Sequence, residues 1–198
     1  MGTIKVNIKK QVGQYDQKKI NIFNYDNKIA DWIDQWFHSI TINSSNDIKK
    51  AGWELDHRLL KSIIFVESKD LIKQSFNDGF ASPDTISKFI KKENKYGYYL
   101  IDSKLAKSFD NNFIFKDKWT NIEYSTNLLI NIFINKKLYL NSEEPRKINK
   151  KIDEYVLVAY KFGNKIASNF LKNDSYEMAK SFQSGWVGEV YKNLTRFS

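Results

Sequence analysis

Apolar positions recur at helical spacing along most of this chain. In residues 27–40, Ile29, Trp32, Ile33, Trp36, Phe37 and Ile40 fall at i, i+3, i+4, i+7, i+8 and i+11, which predicts an amphipathic helix with Asp26 as its N-cap. A second helix is predicted from Asp56 to about Glu67, with Leu59, Leu60, Ile63 and Ile64 on its apolar stripe. Further helices are expected over 84–95, over 97–109 after a tight approach at Gly97, over 119–137 with Ile122, Leu128, Leu129, Ile132 and Phe133 inward, and over 150–162 with Ile152, Tyr155, Val156, Ala159 and Tyr160 on one face. Shorter helical patterns follow near 164–171, 175–182 and 187–196. Residues 3–23 differ: "IKVNIKK" and "KINIFN" alternate irregularly on either side of Gly13, as in a short strand pair. Residues 43–53 and 141–147 read as loops. The expected architecture is mainly α, a multi-helix α+β domain with a small N-terminal β element. The loop at 43–53 sets off an N-terminal extension, residues 1–50, expected to pack on a main domain formed by residues 51–198.

Composition narrows the chemistry. The 198 residues, 41% hydrophobic and 15% aromatic, can bury a full core and do not describe a disordered chain. The absence of cysteine excludes disulfides, thiolate zinc sites and a cysteine nucleophile, and the two histidines, His38 and His57, are too few for most histidine metal sites. No metal and no cofactor are expected. A net charge of +9 points to an anionic partner: nucleic acid, an acidic membrane surface or a cell-wall polymer. Arginine occurs only at Arg58, Arg146 and Arg196, and no helix carries a dense basic stripe, so specific reading of nucleic acid is not expected. No apolar leader and no run long enough for a membrane span are visible, so synthesis in a cytoplasm is expected, with any target elsewhere reached by a dedicated route.

Glu67 is the position that the hydrophobic pattern does not explain. It continues the stripe of Leu59, Leu60, Ile63 and Ile64. A carboxyl buried among apolar groups resists ionisation. One that keeps its proton near neutral pH suits the acid step of glycoside cleavage. As a plain helix end facing the polar "SKD" that follows, Glu67 would need no such role.

The run "DHRLLKSIIFVES" resembles the first motif of the soluble lytic transglycosylase domain of the lysozyme-like superfamily, in which an apolar helix ends in Glu-Ser. Here those residues are Glu67 and Ser68. "YGYYLID" (96–102) is similar to the family's cleft-lining segment, "TNIEYSTNLLINIF" (120–133) to its Asn-Ile helix, and "VLVAYKFGNKI" (156–166) to its Ala-Tyr-Asn-x-Gly motif. The resemblance covers roughly residues 54–166 in the family's order. It implies that Glu67 is the catalytic acid, supported by Ser68 and by the hydroxyl of Tyr160. It further implies that Gly97, Tyr98, Tyr99, Leu100 and Asn121 line the sugar site. Leu100 stands where the family has Gln, Lys161 where it has Asn, and Ser125 where it has Gly.

The implied substrate is peptidoglycan, cut between N-acetylmuramic acid and N-acetylglucosamine. In the lytic branch one Glu serves as acid and then as base, leaving a 1,6-anhydro end. A hydrolytic muramidase would more often use a second carboxylate, for which Asp78 and Asp84 (and Asp70) lie downstream in the expected cleft lip. A non-catalytic glycan-binding module on the same scaffold is a further alternative. Tyr98, Tyr99 and Trp119 fit either sugar stacking or the core, and Lys161 reads as a solvated head that could meet a peptide-stem carboxylate. A wall enzyme of this kind implies a phage lysis route, or an injected antibacterial effector with a secretion component and a neutralising immunity protein as partners.

Overall fold

A computed structural model of the chain describes residues 57–67, 91–143 and 152–194. Within them the fold is mainly helical, with one small antiparallel sheet. The order is α1 (His57–Glu67), β1 (Lys91–Lys92), β2 (Lys95–Tyr96), β3 (Ile101–Asp102), α2 (Ser103–Phe109), a 3-10 turn (Asn111–Ile114), α3 (Lys116–Trp119), α4 (Ile122–Glu143), α5 (Ile152–Phe162), α6 (Asn164–Lys172) and α7 (Tyr176–Leu194). The expected strand pair at 3–23 and the helix at 27–40 lie outside the described residues, as does the proposed boundary at 43–53.

Two helices form the centre. In α4 every residue from Leu128 to Ile134 is buried, and in α5 every residue from Tyr155 to Tyr160. A helix that is apolar all round must be enclosed all round. α5 accordingly packs against α4, α6 and α7, while α7 also packs against α1. The single inward face expected for α5 understated its burial. α1 contributes Leu59, Leu60, Ile63 and Ile64 to the same core. Each such side chain is worth about 1.5–3 kcal/mol when fully buried.

Polar residues fix where the shorter elements begin. Asp102 caps α2, its Oδ1 accepting from the amides of Lys104 and Leu105 at 2.9 and 3.1 Å. Asp110 ends α2 and caps the 3-10 turn, accepting from the amide of Asn112 at 2.9 Å and, through Oδ2, from the hydroxyl of Tyr124. Asn121 precedes α4 and accepts from the amide of Tyr124 at 3.0 Å. Caps of this kind contribute about 1 kcal/mol each.

Residues 91–95, expected to end a helix, instead form with Tyr96 the β1–β2 hairpin, pairing Lys91 with Tyr96 and Lys92 with Lys95. From Lys91 to Lys95 there is no apolar residue, so a helix there would have no face to bury. A four-residue turn joins β2 to β3, closed by the Leu100 amide donating to the Gly97 carbonyl at 2.9 Å. Gly97 has φ +80°, and a Cβ on it would lie 2.9 Å from Ser125 Oγ and 3.2 Å from both Phe113 Cζ and the Trp119 carbonyl. The tight approach read from the sequence is therefore contact with the 3-10 turn, the end of α3 and the first turn of α4. Leu100, buried, also sits at φ +44°, a conformation that costs a non-glycine residue about 1–3 kcal/mol.

α7 takes in both patterns expected at 175–182 and 187–196 as far as Leu194, with Gln183 (φ +41°) and Gly185 (φ +68°) between them. Gly163 joins α5 to α6 at φ +101°, ψ 156°, and a Cβ there would touch none of the described residues within 4 Å.

Candidate functional site

Glu67 is the last residue of α1, and its side chain is only 11% exposed. It does not sit alone in an apolar setting. Its carboxylate accepts from Nζ of Lys161, in the last turn of α5. Lys161, expected to be a solvated head, is 22% exposed and lies over the ring of Trp186 in α7, 4.5 Å from the centroid. The stem of a lysine packs well against apolar surface while its head seeks charge. Here the head finds a carboxylate on one side and an indole face on the other, which is worth about 0.5–2 kcal/mol beyond the ion pair.

Tyr160 precedes Lys161 and is buried. Its hydroxyl donates to the backbone carbonyl of Tyr99 at 3.2 Å, inside the turn that precedes β3. Its ring packs edge-on against Phe133, centroids 5.3 Å apart, and tilted against Trp186 at 6.1 Å. Burial raises its ionisation well above the usual 10, and the negative charges of Glu67 and Asp102 push it further the same way. The phenol stays neutral at physiological pH. The Tyr160 hydroxyl thus fastens the strained Tyr99–Leu100 backbone, where the resemblance had it orienting Glu67.

The other expected site residues divide. Tyr98, Tyr99 and Trp119 are buried, so their rings belong to the core and offer no face for a sugar. The hydroxyl of Tyr99 is spent on Thr126 Oγ1 at 2.7 Å. Leu100 is buried, and the Asn121 side chain is committed to its cap. Gly97 serves the turn. Ser68, Asp78 and Asp84 lie outside the described residues, as does Asp70.

Two residues were not foreseen. Trp186 lies beyond the segments of resemblance, and helical periodicity alone assigns it no chemistry. Its Nε1 is buried, with no hydrogen-bond partner among the described residues. Asp102 carried a readable signal, an acidic residue directly before a helix, but nothing in the sequence placed its charge near Tyr160. Among the described residues no group of acidic or histidine side chains is arranged to hold a metal ion, and no helix is long and apolar enough to cross a membrane. In comparisons with known proteins, the chain matches no family model, no curated sequence and no solved structure.

Proposed function

We propose that this protein cleaves peptidoglycan glycan strands between N-acetylmuramic acid and N-acetylglucosamine, with Glu67 as general acid and base. The reading rests on one observation above all: residues from three separate segments of the family resemblance meet at one place. Glu67 ends α1 against Lys161, and the adjacent Tyr160 reaches the Tyr99 carbonyl in the 97–100 turn. The mainly α fold with a small β element is compatible with that reading.

On this reading Glu67 protonates the glycosidic oxygen as the bond to the muramic acid C1 breaks. The resulting carboxylate then takes the proton from that sugar's 6-hydroxyl, whose oxygen closes on C1 to leave a 1,6-anhydro end. A hydrolytic variant would place water there and use a second carboxylate, Asp78 or Asp84. At rest the Glu67 carboxylate is held by an ammonium. It must part from Lys161 and carry a proton before it can act as an acid.

That pairing also favours a second reading, a glycan-binding module without turnover, in which Glu67–Lys161 is a structural ion pair. A zymogram on purified peptidoglycan, wild type beside Glu67→Gln, separates the two. Clearing by wild type alone supports catalysis, and mass spectrometry of the products assigns anhydro or hydrolytic ends. Equal clearing by both proteins refutes the role of Glu67. Retention on glycan with no clearing by either selects the binding module.

A further inference from the structure

The net charge of +9 has no part in the acid–base role of Glu67, and some of it is concentrated on the small sheet. Residues 91–107 set Lys91, Lys92, Lys95, Lys104 and Lys107, all exposed, against two carboxylates, Glu93 and Asp102. Asp102 is taken by the amides of Lys104 and Leu105. Among the described residues none of the five lysines takes part in an ion pair. The register places two of these charges side by side. Lys92 lies directly opposite Lys95, so both side chains leave the same face of the hairpin, with Cβ atoms about 4.5–5.5 Å apart. Like charges so placed oppose folding, and an anion laid across the two strands removes the repulsion. The other face is the anchored one: Lys91 lies over the Tyr96 ring, 5.8 Å from its centroid, and Tyr96 packs on Trp119 at 5.9 Å. The amide of Ser103 donates to the Asn94 carbonyl at 2.7 Å, which fixes the hairpin tip to the start of α2, beside Lys104. Lys107 follows three residues on, on the same side of that helix.

The same sheet is tied to the candidate site. The turn between β2 and β3 carries the Tyr99 carbonyl that the Tyr160 hydroxyl holds. Asp102, the register partner of Lys95, acts together with Glu67 on the Tyr160 phenol. We infer that Lys92 and Lys95, with Lys104 and Lys107 beside them, form a docking surface for the carboxylates of the wall glycan, a role that rests on that glycan being this protein's target. A lysine ammonium is a point charge on a flexible stem, and it meets carboxylates at varied positions along a polymer without demanding one geometry. Residues 91–95 include no aromatic ring on which a base could stack and no arginine, so nucleic acid fits less well. They also include no apolar side chain to enter a membrane interface.

Cosedimentation with purified peptidoglycan sacculi tests the surface, in full-length Glu67→Gln protein so that binding is read without cleavage. Adding Lys92→Gln and Lys95→Gln is expected to weaken binding about fivefold, the size of two exposed charge contacts, and to flatten its decline with salt. Arginine at both positions should retain binding. Lys165→Gln with Lys172→Gln removes the same charge from α6 and should change binding less than about twofold. Sacculi whose carboxylates have been converted to amides should bind the parent protein as weakly as untreated sacculi bind the hairpin variant. The melting temperature of the hairpin variant should be unchanged or raised, because the opposed like charges are gone; a merely structural role predicts a fall. Equal losses in the hairpin and α6 variants overturn the surface, as does binding indifferent to amidation, a parent protein that does not sediment with sacculi, or a hairpin dependence seen only on duplex DNA or anionic vesicles. Cleavage by Glu67 stands or falls separately, on the zymogram.

Discussion

Gly97→Ala is expected to destabilise the protein by about 3 kcal/mol. Two costs combine. The backbone at φ +80° is a left-handed conformation that an L side chain adopts at about 1–2 kcal/mol. The added Cβ also meets Ser125 Oγ at 2.9 Å and two further atoms at 3.2 Å, of which the Trp119 carbonyl is backbone and cannot rotate away. Overpacking of that degree costs roughly 1–3 kcal/mol. Urea unfolding at pH 7 measures the sum, and for a chain of this size the melting temperature should fall by about 6–12 °C. Ser125→Ala removes the closest of the clashing atoms but not the backbone strain. In that background Gly97→Ala should therefore cost about 1 kcal/mol less, a coupling that a double-mutant cycle detects. A loss below about 1 kcal/mol for Gly97→Ala, or full additivity with Ser125→Ala, would refute the packing of this turn on α4.

Three further outcomes are expected. Tyr99, Tyr124 and Tyr160 all ionise above the ordinary 10 because of burial, so the unfolded chain releases these protons first. Stability is retained below about pH 10 and is lost above it by up to about 3 kcal/mol per pH unit for the enclosed Tyr99 and Tyr160 together, the partly exposed Tyr124 adding a smaller, solvent-screened share. Thermal melts from pH 8 to 11 should show this, with a shallower slope in Tyr160→Phe. That variant should also cost about 1–2 kcal/mol at pH 7, since it orphans the Tyr99 carbonyl. If Tyr160 acts only through the turn, hydrogen exchange should rise at residues 97–101. Asp110→Ala loses a cap and the acceptor of the Tyr124 hydroxyl, about 2 kcal/mol by urea unfolding, and should raise exchange across Asn111–Ile114.

What could be read in the sequence was whatever depends on local spacing. The apolar stripe of α1, its end at Glu67 and the centre of α4 follow directly from a 3.6-residue period. Gly97 was legible because tight approaches favour glycine. What failed was long-range. Lys161 reads as a solvated head because no local rule announces a partner ninety-four positions away. Tyr98, Tyr99 and Trp119 are ambiguous in sequence because an aromatic ring serves a core and a sugar platform equally, and only their burial in the folded chain decides between them. The sequence reads 84–95 as helix, yet from Lys91 to Lys95 it offers no apolar side chain for a helix to bury, and a hairpin forms there.

The corner between α5 and α6 turns at Gly163 through a conformation, φ +101° and ψ 156°, that L-residues avoid although none of the described residues crowds the space beside it. Handedness, not crowding, therefore dictates which amino acid can stand there. A mirror-image alanine introduced by chemical ligation would occupy the same angles at ease and stiffen the unfolded chain by about 0.4–1 kcal/mol. Its ordinary counterpart would bend the bend away, carrying Lys161 from Glu67 with it.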